Sequence, residues 1–194
     1  MESPEATPRI YRPTEVVDIF NQNEANKNEP QPGITKLIEQ YRTWENKRVT
    51  GQDLINMQSY CDFLPGSVTT LLTRSGEERT LGQVAKNFAT FKSQLPHEFV
   101  DNIQNLGTFL KDEEKQKETP PIILLKDPEV FNGQILDGVH RTLAYVSEFQ
   151  ATDGKFDPGL PAFIGRDPVN KVLLRKLKQT FVREWRLVKP PVLK

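Results

Sequence analysis

Cysteine and histidine are scarce in this chain, and their scarcity excludes several kinds of site. Cys61 is the only cysteine among 194 residues, so neither an internal disulfide nor a CxxC metal site can form. The two histidines, His97 and His140, are far apart and do not have the spacing of zinc ligands. We expect Cys61 to be a small buried side chain and His97 to lie at the start of a helix.

Long apolar runs are also missing. No stretch approaches the roughly 20 apolar residues that a membrane-spanning helix needs. The N-terminus lacks the basic-then-apolar pattern of a secretion signal. The sequence contains no P-loop, no GxGxxG dinucleotide motif and no GxSxG nucleophile elbow. We therefore expect a cytoplasmic protein that has no membrane partner and does not use those motifs.

Charge is balanced overall but unevenly distributed. Residues 160–194 contain nine basic and two acidic residues, a net charge of +7 that the rest of the chain balances. A basic segment attracts polyanions, so nucleic acid is a candidate partner. The alternative is a helix whose solvent-exposed face is rich in lysine and arginine.

Hydrophobic periodicity divides the chain into three predicted segments and predicts an α+β fold. Residues 1–33 are expected to be a flexible arm and linker with one short helix. Residues 34–118 are predicted to be mainly helical, which offers a surface for a protein partner. Residues 119–194 are predicted to form a small mixed α/β core. The alternative division makes residues 34–194 one domain.

Three clear amphipathic stretches are predicted in the helical segment, with a weaker one at Leu54, Met57 and Cys61, and a charged linker follows at residues 111–119. The first is marked by five residues at the helical spacing: Ile34, Leu37, Ile38, Tyr41 and Trp44. The second begins at a capping box formed by Thr80 and Gln83 and ends before Pro96. The third continues from His97.

Three short strands and two helices are predicted in the core segment. Apolar runs at 121–125, 134–136 and 160–164 favour strands, and residues 141–150 favour a helix. Asp167 and Pro168 have the form of an N-cap and first helical residue, which predicts a second helix through Phe181.

Residues 137–142 join a predicted strand to a predicted helix through an Asp-Gly turn. The N-terminus of such a helix presents unpaired amides and a partial positive charge, which bind anions. Arg141 adds a forked donor that matches phosphate oxygens, and Thr142 adds a hydroxyl. His140 can donate to an oxyanion or transfer a proton, while Asp137 can hold Mg²⁺ or orient the histidine. The alternative is a common turn and helix cap followed by solvated side chains.

The pattern PIILL…GQILDGVHRTLAYV…LPAFIG, over about residues 119–166, resembles the ParB/sulfiredoxin superfamily. Members of that family share a strand, a turn, a second strand that ends in a D-G-x-H-R or G-E-R-R motif, a helix and a later strand. The resemblance implies that a phosphate pocket for ATP, ADP or CTP is lined by five residues: Gly138, Val139, His140, Arg141 and Thr142. It also implies Mg²⁺ with an ATP- or ADP-type nucleotide, and an acidic base for which Glu77 and Glu78 are candidates.

The family includes a sulfinic-acid reductase, a free-serine kinase, CTP-dependent partition proteins, and proteins described as nucleotide hydrolases or nucleases, so the fold does not decide the reaction. Val139 stands where sulfiredoxins have their catalytic cysteine, which argues against that reaction. Only 28 residues follow Arg166, too few for the helix-turn-helix of the partition proteins.

Three functions remain open. The first is a nucleotide phosphohydrolase or phosphotransferase that uses Asp137, His140 and Arg141 as catalytic residues, with Asp137 as the Mg²⁺ ligand. The second is a nuclease or nucleic-acid-binding protein that uses the basic segment. The third is a non-catalytic interaction protein that keeps the fold and contacts its partner through the N-terminal helices.

Overall fold

A mixed six-stranded sheet organises the computed structural model, which describes residues 9–25, 32–59, 72, 80–127 and 131–172. The strands are β1 (Arg9–Tyr11), β2 (Tyr41–Val49), β3 (Gln58–Ser59), β4 (Ile122–Asp127), β5 (Phe131–Asp137) and β6 (Leu160–Pro168). Their order across the sheet is β1-β2-β6-β4-β5-β3. The β4–β6 and β3–β5 pairs are parallel, and the other neighbouring pairs are antiparallel.

Both faces of the sheet are covered by helices in the described part of the chain. These helices are α1 (Pro13–Ala25), α2 (Pro32–Ile38), α3 (Gly51–Leu54), α4 (Leu81–Phe91), α5 (His97–Lys111), α6 (Glu113–Lys117) and α7 (Val139–Ala151). A 3₁₀ turn at Lys92–Gln94 connects α4 to α5. Because both faces are covered, the central strand β4 is a continuous apolar run rather than an alternating one.

The alternation of side chains along β4 divides the core in two. Ile122 and Leu124 pack with α4, α5 and α7, whereas Ile123 and Leu125 pack with α1 and α2. Each of these four side chains is buried. The sheet is therefore the middle layer between two apolar clusters, and its two faces belong to different helix groups.

Helices α5 and α7 lie side by side and run in the same direction. The ring of Phe99, in the first turn of α5, meets the ring of His140, in the first turn of α7, edge to face at 5.7 Å. Toward the other end, Lys111 Nζ lies 2.7 Å from Glu148 Oε2. The Glu148 side chain lies against the α5 backbone at Gly107, where an added Cβ would lie 2.9 Å from Glu148 Oε1. The N-termini of both helices therefore lie at the same end of this layer.

The predicted α+β class is confirmed, as are the three strands of the core segment and the helices that begin near Thr80, His97 and Arg141. Only half of the predicted capping box forms. The Thr80 hydroxyl accepts a hydrogen bond from the Gln83 backbone amide at 3.3 Å, but the Gln83 side chain donates to Asn87 instead.

The helix predicted across residues 34–44 is wrong beyond Ile38. Tyr41 and Trp44 belong to β2, where both are fully buried and their rings meet edge to face at 5.4 Å. Their three-residue spacing is compatible with a helix, but aromatic side chains also favour the pleated, half-buried surface of a strand. Contacts distant in sequence decide the outcome, because β2 pairs with β6 along most of its length.

The helix predicted to start at Asp167 is also wrong at its first residues. Asp167 and Pro168 end β6, and Pro168 lies opposite Tyr41 of β2. Asp167 adopts φ +53°, and the described chain becomes helical only at residues 171–172. Proline is tolerated here because a strand end does not require its missing amide hydrogen.

The predicted arm is wrong in part. Residues 9–11 form β1, which pairs with β2. The short helix predicted within the arm is confirmed as α1, and its Val16 and Phe20 belong to the apolar cluster on that face. The charged stretch 111–119 includes α6, whose first amides are capped by the Asp112 carboxylate. The sheet thus takes strands from all three predicted segments.

Several predictions concern residues outside the described ranges. Cys61, Glu77, Glu78 and the basic residues beyond 172 are among them. Within the described ranges, no helix combines the length and apolar character needed to cross a bilayer.

Candidate functional site

Gly138 lies between β5 and α7, and its place requires glycine for two reasons. Its backbone has φ +88° and ψ 24°, the left-handed region that disfavours any residue with a Cβ. An added Cβ would also lie 2.5 Å from Cγ2 of Ile122 on β4. The strand can therefore turn directly into the helix, and the N-terminus of α7 lies against the end of the sheet.

The N-cap residue of α7 is Gly138, which makes no side-chain hydrogen bond to the helix start. The backbone amide of Thr142 is bonded to the Gly138 carbonyl at 2.9 Å. Helix geometry gives the earlier amides no acceptor within the helix, and the helix dipole makes this end electropositive. This arrangement suits an anionic ligand.

Asp137 and Arg141 form an ion pair beside that helix start. Arg141 Nη2 lies 3.1 Å from Asp137 Oδ2, and the two side chains are 14% and 12% exposed. The guanidinium also donates to the carbonyl oxygen of Pro120, in the segment that precedes β4. Two of the three predicted catalytic side chains are thus brought together, but in this structure they bond to each other and to the backbone.

Thr142 does not have the environment expected of a phosphate ligand. Its side chain is fully buried, and its hydroxyl donates to the helix carbonyls of Gly138 and Val139, at 3.1 and 2.9 Å. Val139 is buried in the apolar cluster that includes α4 and α5. Of the five predicted pocket-lining residues, these two contribute side chains to the protein interior, so only their backbone can face a ligand at the helix start.

His140, in the first turn of α7, lies against the Phe99 ring in the first turn of α5. This neighbourhood was not predicted, because nothing in the local pattern around His97 indicates that α5 runs parallel to α7. The first turn of α5 also contains the exposed acidic residue Glu98. The structure therefore adds the N-terminus of α5 to the site that the motif predicted.

A protein-only metal site is not supported by the described residues. They contain no group of three or more histidine, cysteine, aspartate or glutamate side chains placed to hold a metal ion. Asp137 is a single carboxylate with one oxygen paired to Arg141. Such a donor fits Mg²⁺ only if the ion arrives with a nucleotide, since Mg²⁺ then takes one or two carboxylates together with phosphate oxygens and water.

Residues 160–172 of the basic segment are described, and the first arginine among them, Arg166, forms an ion pair. Arg166 Nη2 lies 2.6 Å from Glu45 Oε2 across the β2–β6 pair. The exposed Lys171 follows β6.

Comparison of the chain with protein-family models, with curated proteins and with solved structures finds no match. The ParB/sulfiredoxin resemblance therefore stays a prediction based on the motif and on its position between a strand and a helix.

Proposed function

We propose that this chain binds a phosphate-bearing nucleotide at the N-terminus of α7 and hydrolyses or transfers its phosphate. The observation that supports the proposal best is the direct turn from β5 into α7 through Gly138, an N-cap residue with no side chain to occupy the helix start. The neighbouring start of α5 adds a second electropositive helix end. The DGxHR resemblance, which implies the ParB/sulfiredoxin fold, points to the same residues.

In this proposal Arg141 gives up its hydrogen bond to Asp137 and donates to the phosphate oxygens instead. A guanidinium can contact these oxygens with two donors at once. His140 donates to the oxygen that gains charge or leaves. Asp137, released from Arg141, holds the Mg²⁺ that accompanies the nucleotide. When bound, Mg²⁺ supplies charge neutralisation on the phosphates. Thr142 stabilises the first turn of the helix and does not contact the ligand.

A thermal-shift experiment with nucleoside di- and triphosphates and Mg²⁺ tests binding. A ligand at 100 times its Kd should raise the Tm of the wild type by roughly 5–10 °C. Arg141→Ala should remove the shift. The matched control is Arg166→Ala, which also breaks an arginine–carboxylate pair but on β6, and it should keep the shift. Equal shifts in both variants would contradict the proposed role of Arg141.

Turnover tests the catalytic half of the proposal. His140→Ala should bind nucleotide with little change yet lose at least 100-fold in phosphate release or transfer, the contribution typical of a positioned acid or base. Glu98→Gln tests whether the first turn of α5 supplies the acidic base, since Glu77 and Glu78 lie outside the described residues. Full turnover in His140→Ala would remove that residue from the chemistry.

Nucleic acid is the second candidate ligand, because residues 160–194 have a net charge of +7. A backbone phosphate would then occupy the same helix start, and affinity should fall steeply with salt. DNA or RNA binding that does not respond to salt would exclude this alternative. Wild-type protein that binds neither nucleotide nor nucleic acid would instead favour the third hypothesis, a non-catalytic interaction protein.

A further inference from the structure

Phe99 is an aromatic side chain whose ring meets the imidazole of His140. It lies in the first turn of α5 and is 8% exposed. Its ring centroid lies 5.7 Å from that of His140, with an angle of 65° between the two ring planes. His140 itself is only half-buried. A buried ring on one helix thus contacts a partly exposed imidazole at the start of the next.

The position of the Phe99 ring is fixed by contacts other than the one with His140. The ring of Phe88, on α4, meets it edge to face at 6.0 Å. Both phenylalanines belong to the apolar cluster on this face of the sheet. Farther along α5, the Lys111–Glu148 ion pair joins the helix to α7. Because close-packed core side chains keep to one rotamer, Phe99 offers His140 a rigid surface.

The imidazole needs such a neighbour if it is to act on a phosphate. Rotation about the histidine χ2 angle has broad minima, so the ring of a half-buried histidine turns readily. A catalytic donor must, however, lie within hydrogen-bonding distance of the reacting oxygen. A misplacement of about 1 Å can cost roughly 100-fold in rate. An imidazole packed edge to face against a rigid ring is restricted in both rotation and position.

We propose that Phe99 is a positioning residue that orients the His140 imidazole toward the phosphate bound at the start of α7, an inference that rests on the proposed function. In this role Phe99 does not touch the ligand and acts only through His140. The role depends on the parallel arrangement of α5 and α7, which brings the first turns of the two helices together. A functional ring that is locked by packing on a neighbouring helix is held more precisely than one left to solvent.

Steady-state kinetics with ATP and Mg²⁺ tests the inference, with phosphate release as the readout. Phe99→Leu removes the ring but keeps an apolar side chain, and it should lower kcat roughly tenfold while KM stays within about twofold. Phe88→Leu is the matched control, because it removes a ring of similar burial from the same cluster and leaves the Phe99–His140 pair in place. Its kcat should stay within about twofold of the wild type.

Two kinetic results would overturn the positioning role: an unchanged kcat in Phe99→Leu, or an equal loss of kcat in Phe99→Leu and Phe88→Leu. Both variants should lose a few degrees of Tm, since each shrinks a buried side chain, so the comparison is made well below both Tm values. A wild type that releases no phosphate would instead reject the proposed function, and the inference with it.

NMR of the ligand-free protein gives a readout that does not depend on turnover. The chain has only two histidines, so a His97→Gln variant assigns the imidazole signals of His140. The order parameter of the His140 ring should be high in the wild type and in Phe88→Leu, and lower in Phe99→Leu. An unchanged order parameter in Phe99→Leu would show that other contacts orient the imidazole and would overturn the inference.

Discussion

The middle and the start of α7 differ in how their side chains are bonded. At the middle, the Tyr145 hydroxyl donates to Asp157 Oδ1 at 2.5 Å and accepts from the Gly159 amide at 2.7 Å. The same carboxylate oxygen accepts from the Gly51 amide at 2.8 Å. At the N-terminal end, Gly138 makes no side-chain cap. The Tyr145 side chain is therefore held by several hydrogen bonds within the protein, whereas the N-cap residue adds no side-chain hydrogen bond to the helix start.

Arg48 belongs to the same hydrogen-bonded network as Tyr145 and Gly159. Its guanidinium donates to the carbonyls of Pro158 and Gly159, at 3.1 and 3.0 Å. Burial and the hydrogen bond to Asp157 raise the pKa of the Tyr145 hydroxyl well above its usual range. We therefore expect substitutions in the hydrogen-bonded network around Tyr145 to act on stability, and substitutions of Arg141 and His140 at the start of α7 to act on binding and turnover.

The largest effect is expected from Gly138→Ala. The left-handed φ and the 2.5 Å approach to Ile122 should together lower the free energy of unfolding by about 3–4 kcal/mol. Gly154→Ala is the matched control, since its φ is +79° but the nearest atoms, of Phe149, lie 3.5 Å from the added Cβ. It should cost only about 1 kcal/mol. Urea unfolding measures both, and equal losses would show that crowding at Ile122 is not important.

Tyr145→Phe should lower the free energy of unfolding by about 2 kcal/mol, because Asp157 and the Gly159 amide lose their shared partner. Nucleotide binding should not change. The raised pKa gives a pH signature as well. The unfolded tyrosine ionises near pH 10 while the folded one stays neutral, so wild-type stability falls as pH rises above 10. The variant should lose that part of the decline, and an identical alkaline slope in both proteins would contradict the assignment.

The Asp137–Arg141 pair should show a coupling of about 1–2 kcal/mol in a double-mutant cycle of Asp137→Asn and Arg141→Gln. Both partners are mostly buried, so solvent screens the pair weakly. The Glu45–Arg166 pair is the comparison. Its arginine is 42% exposed, and its coupling should be no more than about 1 kcal/mol. The opposite order of the two couplings would mean that Asp137 and Arg141 are held mainly by other contacts.

The smallest effect is expected from Thr142→Val. The hydroxyl bonds only to helix carbonyls in this structure, so its loss should cost about 0.5–1 kcal/mol. The nucleotide-induced shift in Tm should persist. A variant that keeps its stability but no longer binds nucleotide would restore Thr142 as a ligand residue, as the motif implied.

Elements with a strong local pattern were predicted close to their observed bounds. The apolar run at 121–125 becomes β4, and the amphipathic pattern after His97 becomes α5. Tyr41 and Trp44 were misassigned, because a three-residue spacing fits a helix while pairing with β6 selects a strand. The predicted site residues are adjacent in sequence, so a motif can indicate them. The contact of His140 with Phe99 joins residues that are 41 positions apart and has no local signal.

The local pattern is enough to predict that a strand ends and a helix begins at Asp137 and Gly138, because glycine adopts the left-handed turn without strain and the apolar patterns on either side differ in period. The folded structure determines what surrounds that turn. It set α5 parallel to α7, paired Arg141 with Asp137, and buried Gln134 without a partner in the described chain. These outcomes depend on packing between distant segments, and such contacts are not specified by the composition or spacing of any one segment.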